Sequence, residues 1–353
     1  MGKNAYLIIS DIHESYKNKE NRYNYIDEVS FVKNKIVDVS EKYKSLGYDV
    51  YLIFLGDIFD REYKDPDMAV KGNNYYIALR MSVSGMFAVM GNHEFSFYTG
   101  NPFYTLTTEI ESQKVKNVIN KVWTPKGIIP VLRVVDRLED GEVVFHFNHH
   151  KTPISHAEDG KVCIALYHQD VVCTEIVRNM QNILGENIFA TSVAFKNIDI
   201  FDGYAYNFFG HNHKIYGTWD YVNEETGKKT VLSYLASLGR PNVTEVNDKL
   251  LERNIPAVIV EDGHFVTVDD NLFDLPNREE CVREEVVIHQ KENYKKVKER
   301  AEIIHSTTNA INPVEGVLQG CESELQMRLF NEIFNGGSSD TLDKFITHVG
   351  QIL

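Results

Sequence analysis

The sequence predicts an α/β fold in which two sheets share a core flanked by helices. Three observations carry that expectation: short continuous apolar runs recur along the chain, helical patterns separate the early ones, and a polar, chemistry-bearing segment follows each of several runs. Residues 5–10 (AYLIIS), 50–55 (VYLIFL) and 86–90 (MFAVM) lack the alternation of a half-exposed strand, so they read as strands buried on both faces. Residues 162–167 (VCIALY) and 204–209 (YAYNFF) repeat the pattern. Ile26, Val29, Ile36, Val39 and Tyr43 set a helical stripe over residues 24–46, closed by Gly47, and residues 69–84 read as a second helix. Strand–helix alternation implies crossover units and a largely parallel sheet.

The later part of the chain changes character. Residues 143–148, 230–236, 257–260 and 264–268 read as a second, more antiparallel set, with Glu261-Asp262-Gly263 turning between the last two. Residues 277–285 are charged and weakly patterned. Residues 291–305, 322–334 and 341–353 look helical, with Gly336-Gly337-Ser338-Ser339 as a break. The expected organisation is a core over residues 1–270, a linker over 271–290, and a helical partner-binding or oligomerisation region over 291–353.

At 353 residues and 43% hydrophobic content the chain is long enough for a substantial core. The net charge of −14 argues against broad electrostatic capture of nucleic acid, though not against a local positive site or a basic partner. Cys163, Cys173, Cys281 and Cys321 form no CxxC pair and are too few for a disulfide framework, so reduced thiols are expected. No leader pattern or membrane-length apolar stretch is visible. The reading is a soluble, cytoplasmic protein with no membrane partner.

Five polar segments carry the chemistry: Asp11-Ile12-His13, Gly56-Asp57-Ile58-Phe59-Asp60-Arg61, Gly91-Asn92-His93-Glu94, Tyr167-His168 and Gly210-His211-Asn212-His213. Each follows an apolar run, and open α/β sheets bind ligands at the carboxyl ends of their strands. Hard carboxylate and amide oxygens mixed with imidazole nitrogens suit a pair of first-row divalent ions. Asp57, with two oxygens, is the natural bridge. One ion would take Asp11, His13, Asp57 and His213, and the other Asp57, Asn92, His168 and His211. His93 is spare beside a ligand, placed to protonate a leaving oxygen. Asp60 is placed to orient that imidazole, and Arg61 to contact a phosphate oxygen. Asp60 and Arg61 also read as a plain surface ion pair.

These segments resemble the D-x-H, GDxxDR, GNH[DE], H and GHxH motifs of the calcineurin-like metallophosphoesterase superfamily, in order, over roughly residues 5–240. Glu94 stands where many members have Asp. The resemblance implies a four-layer α/β/β/α sandwich, here with a small C-terminal helical extension. It also implies a dinuclear centre of the Mn²⁺ type, with Mg²⁺, Fe²⁺ or Zn²⁺ as alternatives, and hydrolysis of phosphoesters or nucleic acid. Within the superfamily the chain is most similar to SbcD-type DNA repair and recombination nucleases. Tyr167-His168-Gln169 resembles their H-Q segment. Residues 234–241 (YLASLGRP) resemble their Y-x-G-S-x-x-R/P segment, with Ala236 replacing the glycine, and residues 256–268 match the strand–turn–strand that ends the core.

That finer likeness implies a Mn²⁺-dependent DNA nuclease working with an SbcC-type coiled-coil ATPase, whose coil the C-terminal helices would grip. A homodimer is the alternative use of the apolar face formed by Leu325, Leu329, Phe330, Ile333 and Phe334. The competing enzyme reading is a small-molecule phosphodiesterase or protein phosphatase on the same core, which the acidic charge favours. A scaffold with a decayed site is weak, because every ligand position is filled. His146, His149 and His150 read as a strand end and loop, and His156, His264, His289, His305 and His348 as ordinary surface or core residues. Tyr16, Lys17, Lys19, Arg22 and Tyr23 read equally as a solvated loop or a nucleic-acid contact.

Overall fold

The computed structural model describes residues 2–14, 25–60, 66–95, 106–107, 112, 114, 131–169, 171–173, 194–196, 198–213, 216–223, 226–239 and 251–276. The chain divides into two units, Met1–Arg283 and Glu284–Leu353. Every described residue belongs to the first. Arg61, the 15–24 loop and the three C-terminal helical segments lie outside the described residues.

In chain order the described strands begin with β1 (Lys3–Ile9), β2 (Asp49–Phe54), β3 (Gly85–Ala88), β4 (Arg133–Val134), β5 (Arg137–Asp140), β6 (Val143–Asn148), β7 (Val162–Tyr167) and β8 (Val171–Cys173). They continue with β9 (Ala194–Lys196), β10 (Tyr204–Phe209), β11 (Gly217–Val222), β12 (Lys229–Tyr234), β13 (Glu252–Asn254), β14 (Ala257–Glu261), β15 (Phe265–Asp269) and β16 (Leu272–Asp274). The helices are α1 (Tyr25–Ser45), α2 (Pro66–Ser82) and the single turn α3 (Asn92–Phe95). One sheet runs β15-β14-β1-β2-β3-β4 and the other β11-β12-β10-β7-β6-β5.

Each sheet has a parallel centre with antiparallel edges. In the first, β1, β2, β3 and β4 are parallel while β14 and β15 are antiparallel. In the second, β6, β7, β10 and β12 are parallel, with β5 and β11 antiparallel at the edges. This corrects the expected antiparallel set. Residues 143–148 and 230–236 enter the parallel centre of the second sheet, and the 257–268 hairpin crosses to the edge of the first. The reason is burial: β6 is buried at all six positions, as a central strand covered on both faces must be. Its polar residues His146 and Asn148 disguise that in the sequence.

The sheets stack face to face. Tyr6 and Ile8 of β1, Ile53 of β2, Phe145 and Phe147 of β6, Ile164 and Leu166 of β7, and Phe208 of β10 form one buried cluster between them. The alternate residues of β1 and β2 point the other way, where α1 lies against β2 and buries Val29, Val32, Ile36 and Tyr43. α2 adds Tyr76, whose ring meets Phe54 and Phe59. Behind the second sheet, Tyr167, Phe201, Phe209 and Tyr234 pack with Val171 and Ile198. The fold is the expected sandwich of two sheets flanked by helices. The core also runs past the expected start of the linker. Asn271 is buried, its amide donates to the Ile255 carbonyl, and β16 pairs with β13.

Register decides where the chemistry goes. Ile9 pairs with Phe54 and Phe54 with Ala88, so the first sheet's strands finish in line. Asn148, Tyr167, Phe209 and Tyr234 finish in line in the second. All five motif segments leave from these two aligned ends. Phe145 is fully buried, with its ring centroid 4.6 Å from that of Tyr6 across the sheet interface. Phe145→Ala should therefore cost about 3–5 kcal/mol in urea unfolding, while a loss under about 1 kcal/mol would mean the sheets do not depend on this contact.

Candidate metal centre

Asp11 leaves β1 into the seam between the sheets and is fully buried. Its carboxylate accepts from the main-chain N–H of His211, which leaves β10 of the opposite sheet, at 3.1 Å. Two residues on, His13 turns back with φ 51° and its Nε2 reaches within 3.0 Å of His213 Nε2. Burial pulls the His13 pKa down to about 4, against the opposing pull of Asp57, so the imidazole is neutral at physiological pH. Asp11, His13 and His213 offer ligand atoms that all lie within 4.8 Å of one another.

Asp57 follows β2 through Gly56. Gly56 has φ +100°, and a Cβ there would lie 2.5 Å from His168 Nδ1 and 2.8 Å from the Gly91 backbone. A Cβ on Gly91 would run into Asp57 Oδ1. Both glycines are required for the loops to close on each other. Asp57 Oδ2 lies 3.6 Å from His13 Nε2 on one side and 3.3 Å from His168 Nε2 on the other. Asp57, His168 and His211 form a second group of ligand atoms within 4.8 Å. Burial alone would raise the Asp57 pKa, but His168 and His13 outweigh it and hold the group ionised.

His168 is fixed by its second nitrogen. Nδ1 sits 2.6 Å from the Leu55 carbonyl, an acceptor only, so Nδ1 must carry a proton and Nε2 faces the site. Burial opposes a charge on this ring, yet Asp57 and Asp11 prevail and raise its pKa to about 9. A cation entering the site therefore displaces a proton from Nε2. Asn92 completes this half. Its side-chain oxygen lies 2.8 Å from Asp57 Oδ2, 2.9 Å from His211 Nδ1 and 3.0 Å from His168 Nε2. An amide oxygen, a carboxylate and two imidazoles converging on one point suit a divalent cation, which would take the place of the His168 Nε2 proton. The donor set fits divalent cations.

His93 overlaps this arrangement, since His13, Asp57 and His93 also bring ligand atoms within 4.8 Å. Its Nδ1 is 2.6 Å from the Asp60 carbonyl and so donates to it, which leaves Nε2 facing the site 3.8 Å from Asp57 Oδ2. Asp60 orients His93 through its main chain, with its carboxylate at 3.4 Å as a lesser contact.

Several residues at this site have contacts that the sequence did not assign. Glu94 is fully buried and accepts from the main-chain N–H groups of Asp57, Ile58 and Gly91, each at 2.9 Å. It joins the second and third motif loops, and burial together with the Asp57 charge pushes its pKa up to about 7. His149 and His150, expected to be loop residues, are buried behind the second ligand group. His149 Nδ1 accepts from the Met90 N–H, and the His150 ring lies 5.5 Å from His211 and 6.4 Å from His168. Ser237 Oγ donates to the Asp11 carbonyl at 2.9 Å and Arg253 Nε to the Ser237 carbonyl at 2.7 Å, so the segment after β12 buttresses the first loop.

The family profile described as calcineurin-like phosphoesterase matches residues 5–215, more than half of the chain. The chain belongs to the calcineurin-like phosphoesterase family. Members of that family typically use a dinuclear divalent metal centre. No curated protein matches it. Among solved structures, a 5′-nucleotidase precursor from Thermus thermophilus is similar at 10% identity and a TM-score of 0.38, over 83% of this chain and 59% of that one. The NAD nucleotidase of Haemophilus influenzae is similar at 13% identity and a TM-score of 0.34, over 77% of this chain and 50% of that one. The phosphoesterase chain thus spans between half and three-fifths of those proteins' lengths. No described helix is long and apolar enough to cross a membrane.

Glu94→Ala leaves three buried main-chain donors without an acceptor, so it should lower unfolding stability by about 3–6 kcal/mol and weaken Mn²⁺ binding. Unchanged urea midpoint and Mn²⁺ affinity would show that the loops close without it.

Proposed function

We propose that this phosphoesterase is a two-metal phosphodiesterase acting on DNA ends, with Mn²⁺ as its ion. The observation that carries the two-metal part is the position of Asp57 Oδ2, between His13 on one side and His168 on the other. Asp11, His13, Asp57 and His213 would hold one ion, and Asp57, Asn92, His168 and His211 the other. When bound, such a pair draws charge from the phosphoryl oxygens and lowers the pKa of water to supply the nucleophile.

The chain's own residues do the rest. His93, pinned through Nδ1, presents Nε2 to the seat, where in its protonated form it donates to the leaving oxygen. Asp60 holds that orientation. Leu55 holds His168 in the tautomer whose Nε2 faces the centre. Arg61 follows Asp60 directly and is assigned to a phosphate oxygen on chemistry and sequence position.

The DNA reading rests on the likeness of residues 234–241 to the corresponding segment of SbcD-type nucleases. Ser237 and Gly239 of that stretch both bond the Asp11 carbonyl, which supports a role for the segment in holding the site. A coiled-coil ATPase gripped by the C-terminal region is part of the same reading, and a basic partner would offset the acidic chain. The net charge of −14 favours the competing reading, a small-molecule phosphoesterase.

Labelled duplex DNA, single-stranded DNA, a cyclic dinucleotide, a phosphopeptide and bis-p-nitrophenyl phosphate, each given with Mn²⁺, separate the two. Digestion of DNA together with the small diester is expected, with steep salt sensitivity. Inert DNA beside rapid turnover of the cyclic dinucleotide or phosphopeptide would reverse the assignment. His93→Ala should keep both ions and lose about 10²–10⁴-fold in kcat, whereas loss of one bound ion would make His93 a ligand.

A further inference from the structure

The residue after the first motif segment, Glu14, takes no part in the proposed chemistry, yet it is fully buried. Among the described residues its carboxylate has partners on two different helices. Lys33 Nζ of α1 donates to Oε1 at 2.5 Å, and Tyr76 Oη of α2 donates to Oε2 at 2.9 Å. Lys33 is itself largely buried, with Nζ 4.5 Å from the centroid of the Tyr75 ring and 5.2 Å from that of Tyr76. Isolated charges in such a place cost several kcal/mol of desolvation. This pair is tolerated because both members are bonded and the aromatic faces take up part of the cation's field.

A buried ion pair is a weak source of stability but a strong constraint on geometry, because removing one member strands the other. What this one constrains is specific. The Glu14 main chain lies parallel to Phe59. Glu14 N donates to the Ile58 carbonyl at 2.8 Å, and Asp60 N donates to the Glu14 carbonyl at 3.1 Å. One residue earlier, His13 N donates to the Asp57 carbonyl at 2.9 Å. The strip that carries His13, Asp57 and Asp60 is thus zipped together around Glu14, and Glu14 is tied to α1 and α2. The other half of the centre is held differently, by Glu94 on the Asp57 and Gly91 loops and by Leu55 on His168.

We propose that Glu14, Lys33 and Tyr76 form a positioning device for one half of the centre, setting the affinity of the ion held by Asp11, His13 and His213 while leaving the other largely untouched. The inference rests on the two-ion reading above. None of the three residues touches the ions or the substrate, and they act through the His13 main chain, which directly precedes Glu14. Partners one step removed from a ligand commonly change metal affinity by about 10–100-fold.

The test uses the full chain and Mn²⁺ alone, read by calorimetric titration. In a His168→Ala background only the Asp11-side ion should bind tightly, and adding Lys33→Met should raise its Kd by about 10–100-fold. In a His213→Ala background, which leaves the His168-side ion, the same substitution should change Kd by less than about threefold. In the otherwise native chain, Lys33→Met should raise the Mn²⁺ concentration needed for half-maximal diester hydrolysis while leaving KM for the diester unchanged, and Lys33→Arg should restore most of the affinity. If Lys33→Met fails to fold, Tyr76→Phe keeps the ion pair and removes one bond. It should weaken the Asp11-side ion by about 2–10-fold, a loss comparable to one hydrogen bond. Equal weakening in both backgrounds, or no weakening in a folded variant, overturns the inference. A native chain that binds no Mn²⁺ instead overturns the two-ion reading, a separate and distinguishable result.

Discussion

Two carboxylates, Asp11 and Asp57, are buried in the seam where the strand ends of both sheets meet, and the rest of the structure is organised around that constraint. Ionised groups so placed are tolerated only when compensated. The compensation comes from both sheets at once. Asp11 from the first accepts from His211 of the second, and His168 of the second donates to Leu55 of the first. The site is therefore also the clasp that joins the sheets at one end, while the apolar cluster around Phe145 joins them along their length. Of the five described non-glycine residues with positive φ, three are His13, Asp57 and His211. Sparsely populated backbone conformations gather where side chains must be aimed.

The same arrangement explains how an acidic chain can serve an anionic ester. Asp11 and Asp57 bring two negative charges into the seat, fewer than two divalent cations carry, and the remaining ligands are neutral when bound. The loaded seat is then locally positive against a net chain charge of −14. Local field, and not net charge, orients a phosphodiester at short range, because exposed charges more than about 10 Å away are screened at moderate salt.

How legible this was in the sequence differs by element. The residues that meet at the seam were readable because each combines a residue type with a place at the end of an apolar run, and both properties are local. The helix over 25–45 was readable from its stripe. Sheet membership was not. β6 and β12 join a parallel centre and β14 joins the other sheet, since pairing is decided by contacts far apart in the chain. Glu14 and Lys33 were opaque for a related reason: an acidic or basic residue in a helix or loop reads as solvated until its partners are seen. His149 and His150 do lie in the loop after β6, and what the sequence did not show is their burial.

The central claim is that Asp57 stands between two ion seats. Crystals grown in Mn²⁺ and measured at the manganese edge test it directly. The account predicts two anomalous peaks, both within coordination distance of Asp57, one also beside Asp11, His13 and His213, and the other beside Asn92, His168 and His211. A single peak with Asp57 outside its coordination shell would contradict it.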